Sequence, residues 1–294
     1  MLYIIVTCYN SEDTIAKTLN SIVSQIIPTE YKIIVVDDCS TDSSLSIIRE
    51  YKEMYPKYIK IVHNKKNKGA GWARRIGLRY VNKSKNNWVT FIDSDDIVDN
   101  GHFFNLWQYT NFKYVDIISG VIGYIKKYKD GTDKYESLQE DYRYLYNNIL
   151  NDIFEKHNYF INTKLIRASL FKKVKYSKSR FIEDTPTLVK LILNARSIIY
   201  TGGISTYFYR QNPNSLCHTA TDIKYNIYDT LSKIDCYKYY VKHFKDDVPK
   251  YFDLKAIVTN VALLKVNNIN LDEIYKDYPK ELDTIFKFLK SKGY

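Results

Sequence analysis

Cys8, Cys39, Cys217 and Cys236 are the only cysteines in a chain of 294 residues, and no two of them stand close together. That dispersion excludes the paired spacing of a zinc site and the density of a disulfide scaffold, and it fits reduced thiols in a cytosol. No uninterrupted apolar run approaches the roughly 18 to 20 residues that cross a bilayer, so any membrane association is expected to be peripheral. The opening "MLYIIVTCYN" holds a short apolar run with no basic region before it and no small-residue cleavage site after it, and it does not read as a signal peptide. Together these absences predict a cytoplasmic protein that at most attaches to the inner face of the membrane. Two phosphate-binding signatures are missing as well: no G-x-G-x-x-G follows the first apolar run, and no G-x-x-x-x-G-K-[ST] occurs anywhere. A dinucleotide fold and a P-loop are thereby unsupported, and phosphate has to be handled by other means.

What the chain does contain is apolar residues, 45% of the total, and an excess of positive charge, +11. The first suffices for a large core. The second is local: +2 over residues 1–100, +7 over 101–219 and +2 over 220–294. Lys156, Lys164, Arg167, Lys172, Lys173, Lys175, Lys178 and Arg180 follow one another with no acid among them. Such a run reads either as a solvated surface or as attraction for phosphate, an anionic membrane surface or nucleic acid. No finger, helix-turn-helix signature or RNA-binding aromatic motif accompanies it, so nucleic acid is the least supported of these partners.

"YIIVTC", "KIIVVD" and "IKIVHN" are short apolar runs, each followed by a polar turn and a segment of helical period, and "WVTFID" is a fourth run. After the first, Ile15, Leu19, Ile22, Val23 and Ile26 share one helical face behind Asn10 or Ser11 as caps; the next helices are expected to start near Ser40 and Gly71. Near-continuous apolar strands alternating with helices predict an α/β fold, a mostly parallel sheet flanked by helices on both faces. Ligands of such open sheets sit at the carboxyl ends of the strands, where Thr7, Asp37, Asp38, Asn64 and the acids of "FIDSDD" fall. Beyond residue 100 the pattern changes. A helix is expected around 103–112, and a strand in "VDIISGVIGYIKKY" turns at "KDG" into an antiparallel partner. Helices are then expected over about 138–155, near 169–172 and over 185–195, with strands at "SIIY" and "STYFYR". The last 75 residues hold no glycine before Gly293 and carry amphipathic patterns, which predicts a C-terminal helical appendage. The expected division is one domain over 1–219, with a nucleotide-binding half to residue 100 and an acceptor half from 101, followed by helices over 220–294.

Two acidic clusters carry the chemistry. Asp93, Asp95 and Asp96 lie so close in sequence that they repel one another unless a cation or a solvated turn accommodates them. "IEDTP" places Glu183 and Asp184 together where a helix start is expected, with Pro186 fitting the first turn.

In order and spacing, "IIVTCYNSEDTIAKTLNSIVSQ", "IIVVDDCSTDSS", "NKGAGWARRIGL", "WVTFIDSDD", "NTKLIRASLF", "FIEDTPTLVKLI" and "YFYRQNPNSL" resemble the family-two glycosyltransferases with the GT-A fold. The resemblance covers about residues 1–218. It implies an inverting transferase that moves a sugar from a nucleotide-diphosphate donor to the hydroxyl of a carbohydrate or glycoconjugate acceptor, using Mn²⁺ or Mg²⁺, in surface polysaccharide or glycoconjugate synthesis. The alternative is a non-catalytic binder of nucleotide sugars or carbohydrate on the same fold, which has no use for Asp184.

Carried over residue by residue, the resemblance sets Asp93 and Asp95 as the D-x-D pair, with Ser94 between them. Hard divalent cations take oxygen ligands and need only one or two carboxylates beside phosphate and water, so Asp95 is the stronger metal ligand and Asp93 reaches the metal or the ribose. Thr7, Tyr9, Asp37 and Asp38 match the base pocket. A carboxylate accepts the imide N–H of uracil and a tyrosine packs on its face, which favours a UDP-sugar. Asn67 and Gly69 belong to the donor loop, followed by Arg74 as a charge for the diphosphate. Arg75 stands where the family commonly has Asn, so which arginine faces the donor stays open. Asp184 matches the general base and Glu183 its neighbour. Arg210 matches a region over the donor diphosphate, and His218 a third metal ligand or diphosphate contact.

Overall fold

The computed structural model describes residues 1–127, 133–137, 145–146, 160–179, 181–211, 222–244, 248, 253–266 and 276–294. The first hundred residues run β1 (Leu2–Cys8), α1 (Ile15–Val23), β2 (Tyr31–Asp37), α2 (Ser44–Met54), β3 (Ile59–His63), α3 (Ala70–Gly77) and β4 (Trp88–Asp93), the alternation read from the sequence. Their strands pair in parallel in the order β3-β2-β1-β4. The near-continuous apolar runs divide by strict alternation between two cores, because successive side chains of a strand point to opposite faces. Tyr3, Ile5, Ile34, Val36, Val89 and Phe91 pack on one face with Ala73, Leu78, Phe171 and Leu188. Leu2, Ile4, Val6, Ile33, Val35, Trp88 and Ile92 pack on the other with Ile15, Leu19, Ile48 and Phe103.

The second half completes the sheet and adds another. After β5 (Ile97–Val98) and α4 (His102–Trp107) come β6 (Ile117–Ser119), β7 (Val121–Lys127), β8 (Asp133–Ser137), β9 (Leu145–Tyr146), β10 (Lys164–Arg167), α5 (Asp184–Asn194), β11 (Ile198–Tyr200) and β12 (Thr206–Arg210). β10 enters antiparallel between β4 and β6, and the eight-stranded order is β3-β2-β1-β4-β10-β6-β11-β9. The single apolar run expected around "GVIG" breaks at Gly120, where the chain passes from this sheet into a smaller one of order β5-β12-β7-β8. A Cβ on Gly120 would lie 2.7 Å from the carbonyl oxygen of Ser205, so only glycine allows this close crossing. The hairpin expected beyond it is β7 antiparallel to β8.

Several local expectations shift. α1 ends at Val23 with Ser24 as its cap, and Gln25 beyond it donates to the Asp99 carbonyl and accepts from the Phe103 amide; Ile26, expected on the buried face, is 78% exposed. Asn10 and Ser11 cap nothing: Asn10 accepts from the Thr41 amide and Ser11 pairs with Ser94, so both tie strand-end loops together. α2 starts at Ser44 rather than near Ser40, whose amide is held by Asp37. Of the helix expected over 138–155, only residues 145–146 are described, and they form β9. At the C-terminal end, α6 (Asp222–His243), α7 (Leu254–Val266) and α8 (Pro279–Lys290) bury Ile227, Ile234, Ile257, Leu282, Ile285 and Phe288 against one another. Val189 of α5 meets Cys236 and Tyr240 of α6, and Lys190 pairs with Asp235, which joins the helices to the sheet.

Candidate active site

The carboxyl ends of β1, β2 and β4 point the same way, so Thr7, Asp37 and Asp93 stand on one rim. Thr7 Oγ1 donates to Asp93 Oδ1 at 2.8 Å. Asp38, 3% exposed, accepts from Asn64 Nδ2 (2.8 Å) and from the backbone amides of Lys68 (2.8 Å) and Gly69 (2.7 Å). It therefore shapes the loop of Asn67, whose side chain accepts from the same Gly69 amide, and one Asp38 oxygen keeps a lone pair beyond its single bond. Asp37 is fully buried, bonded through Oδ2 to His63 Nδ1 and the Ser40 amide, while its Oδ1 has no hydrogen-bond partner. Tyr9 follows the end of β1 on the same rim and is 46% exposed, which leaves ring surface for a flat ligand.

Arg74 organises the centre. Its guanidinium, 2% exposed, donates to both oxygens of Asp93 (2.7 and 2.9 Å), to Glu183 Oε1 (2.6 Å) and to Asp184 Oδ1 (2.8 Å). The two acidic clusters, far apart in sequence, are thus brought onto one fixed cation, and the guanidinium expected to face a diphosphate donates instead to three carboxylates. α3 comes this close because its second residue is Gly71: a Cβ there would meet the carbonyl oxygens of Ser177 (2.7 Å) and Ser179 (2.9 Å) and the Glu183 side chain. Arg75 makes no such contact with the acids.

Three residues of this centre were not among the expected site residues. Tyr176 donates its hydroxyl to Asp184 Oδ1, and Asn162 Nδ2 reaches both Asp93 Oδ2 (2.8 Å) and Tyr207 Oη (3.1 Å). Tyr207 in turn donates to Asp96 Oδ2 at 2.5 Å. Asn162 and Tyr207 stand inside "NTKLIRASLF" and "YFYRQNPNSL", so the motifs held the signal; Tyr176, set among lysines, gave none.

The acids behind Asp93 separate by environment. Asp96 is fully buried, and burial with the nearby charges of Asp95 and Asp93 holds its carboxyl well above the usual range. Asp95 is pushed up to about 6, by burial first and by the charge of Asp93 second. Among the described residues no other side chain hydrogen-bonds its carboxylate. Arg210 grips the turn from outside, with its amide on Asp96 Oδ1 (2.8 Å), Nε on the Asp95 carbonyl (3.0 Å) and its two terminal nitrogens on Asp133 of β8. Ser94 is buried against Ser11 at 2.6 Å. His218 lies outside the described residues.

Glu183 is raised from 4.5 to about 7, by burial first and by its neighbour Asp184 second, with Arg74 pulling the other way. Asp184 is raised by burial, against Arg74. It nevertheless keeps 27% of its side chain exposed, against 12% for Glu183, and its Oδ2 has no hydrogen bond to a described residue. A raised carboxylate with one held and one open oxygen is equipped to accept a proton from a substrate hydroxyl. The cationic run beside it is not one surface. Lys164 is fully buried on the Phe160 carbonyl and the Thr163 hydroxyl and lowered to about 7 by burial; Arg167 pairs with Asp116. Lys172, Lys173, Lys175 and Lys178 are exposed, and Lys156 and Arg180 lie outside the described residues.

The fold has counterparts among solved glycosyltransferase structures. Staphylococcus aureus TarS 1-349, solved in complex with UDP-GlcNAc, matches it with a TM-score of 0.65 at 24% identity, covering 80% of this chain and 66% of that one. The mannosyltransferase PcManGT from Pyrobaculum calidifontis, solved with GDP-Man and Mn²⁺, matches with a TM-score of 0.60 at 14% identity over 96% and 79%. The chain belongs to the family "Glycosyl transferase family 2", whose profile matches residues 3–175, and it is a glycosyltransferase. Similar curated proteins include glycosyltransferase GlyG of Streptococcus pneumoniae, 25% identical over 96% of this chain and 89% of that protein. The poly(ribitol-phosphate) beta-glucosyltransferase of Bacillus spizizenii is 27% identical over 79% of this chain, which spans 36% of that protein. No helix among the described residues is long and apolar enough to cross a membrane.

Proposed function

We propose that the protein moves a sugar from a UDP-sugar to an acceptor hydroxyl with inversion at the anomeric carbon, with Mn²⁺ or Mg²⁺, in the synthesis of a surface polysaccharide or glycoconjugate. The observation that carries this reading is the bridge of Arg74 from Asp93 to Glu183 and Asp184, which sets the D-x-D pair beside a carboxylate with an open oxygen. In a single displacement, Asp184 Oδ2 takes the acceptor proton as the acceptor oxygen bonds the anomeric carbon, and the bond from that carbon to the diphosphate oxygen breaks. Arg74 and Tyr176 hold Asp184 Oδ1 and so fix the direction of the open oxygen. Asp38 offers a lone pair to a uracil N–H, and Tyr9 a ring to its face.

A metal fits the residues present. Asp95 is a half-buried carboxylate whose burial and the charge of Asp93 outweigh the nearby charges of Arg210 and Arg74, the electrostatic setting a hard cation relieves, and Asp93 stands close by in the sequence. Among the described residues no group of three or more His, Cys, Asp or Glu is placed to hold a metal ion; a divalent ion here would take its remaining ligands from substrate phosphates and water. When bound, the ion supplies neutralising charge to the departing diphosphate. The UDP donor is supported by TarS, solved with UDP-GlcNAc and with UDP. The test is hydrolysis and transfer with a panel of nucleotide sugars: a UDP-sugar is expected to be consumed in Mn²⁺ or Mg²⁺ and to give a product of inverted configuration by NMR. A retained configuration, or turnover of GDP-sugars alone, rejects the reading.

A further inference from the structure

Two stretches of the sequence contain no acid at all: residues 64–92, with eight Lys or Arg, and residues 160–182, with seven. Together these fifteen exceed the net charge of +11, so the rest of the chain is net acidic. The fold lays the two side by side. The Trp72 ring of α3 has Lys68 Nζ 4.4 Å from its centroid and Lys178 Nζ 5.1 Å from it, and Gly71 lies against Ser177 and Ser179. Further along, Leu78 and Val81 share a core with Leu170, Phe171 and Val174. Ser177, Lys178 and Ser179 therefore lie against the start of α3, a few positions before Glu183 and Asp184 in the sequence. Trp72, Arg75 and Arg79 follow at spacings of three and four, which sets them on one side of the helical segment. Lys68, Lys173, Lys175 and Lys178 are exposed, Arg79 is exposed, and Arg75 is half-buried; none of the six has an ion-pair partner among the described residues.

We infer that this strip is a binding track for a phosphate-bearing polymer, and that the acceptor is therefore a polyanionic chain whose hydroxyl is delivered to Asp184 from this side. The inference rests on the transferase reading given above. Length decides between a chain and a single group: Gly69 to Tyr80 spans roughly 16 Å at the helical rise of about 1.5 Å per residue, too long for one phosphate. Chemistry decides the class. The Trp72 ring is already met by ammonium groups, so the strip offers no ladder of open rings on which bases stack. Along it the exposed large apolar residue is Tyr80, itself under Lys60, so nothing there inserts into lipid. What remains is a row of cations beside a glycosyl-transfer site, matched to repeated phosphates.

The experiment is fluorescence anisotropy with a labelled phosphodiester-linked polyol oligomer, against an uncharged oligosaccharide of equal length, phosphatidylglycerol vesicles and an oligothymidylate of equal charge. The full chain is expected to bind the polyol phosphate in preference to all three. Arg79→Glu/Lys175→Glu/Lys178→Glu should weaken that binding by about tenfold or more, as reversing several phosphate-facing charges does, while acceptor-independent hydrolysis of the UDP-sugar stays unchanged. Lys175→Arg/Lys178→Arg should bind as the parent does. Undiminished binding by the triple variant overturns the inference, and so does a preference for vesicles or oligothymidylate. If the parent hydrolyses no UDP-sugar but the triple variant still loses the polymer, the donor reading fails and the track stands.

Discussion

Asp184 is held by one oxygen and open at the other, and that asymmetry generates predictions that a purely structural acid would not meet. A general base meets only the acceptor hydroxyl, so Asp184→Asn is expected to lower kcat by about 10² to 10⁴ while the Kd for the UDP-sugar, measured by calorimetry, hardly moves. An acid that only started α5 would leave turnover intact and cost a fraction of stability instead. The Tyr176 hydroxyl bonds the carboxylate and favours its ionised form. Removing it in Tyr176→Phe raises the Asp184 pKa further, so the acidic limb of the kcat profile is expected to move to higher pH. An unmoved limb would separate Tyr176 from the base.

α3 carries the site because it has no side chain at Gly71. Alanine favours helix over glycine by up to about 1 kcal/mol, but its Cβ would press on two backbone carbonyl oxygens within 3 Å, which cannot swing away as a side chain does. Gly71→Ala is therefore expected to destabilise by about 1 to 3 kcal/mol, seen as a fall in Tm, and to displace Glu183 with a loss of turnover. A rise in Tm would contradict the close packing. The strands and helices of the first half, the "DSDD" turn and "IEDTP" were all legible, because apolar periodicity and clustered acids are local properties. The inward direction of Arg74 was not: its partner Glu183 is 109 residues away, and nothing in "GWARRIGL" distinguishes Arg74 from Arg75 until α3 is packed. The cationic run misled for the same reason, since Arg167 finds Asp116 and Lys164 finds backbone only in three dimensions. The β10 insertion also escaped the pattern, because a buried antiparallel strand of four residues reads like its parallel neighbours.

At the scale of the whole molecule, the buried acids link stability to pH in the opposite sense to activity. Glu183 and Asp95 have folded pKa values near 7 and 6 against ordinary values of 4.5 and 3.8, and Asp184 is shifted the same way. The folded state binds these protons more tightly, so their stabilisation is full below the ordinary values and is lost as pH rises toward about 7. Lys164, lowered to about 7, has the reverse effect only above that pH. Tm is thus expected to fall between about pH 4.5 and 7 while turnover rises, and Glu183→Gln should flatten the stability slope. On the proposed reading, Asp93 and Asp95 hold a divalent ion against a nucleotide diphosphate at the rim of the sheet. Titration calorimetry of UDP into the protein, with Mn²⁺ and with chelator, tests it most directly. Tight binding is expected only with Mn²⁺, nearly abolished in Asp95→Ala with its Tm unchanged or raised; equal affinity in chelator, or in the variant, would remove the metal role.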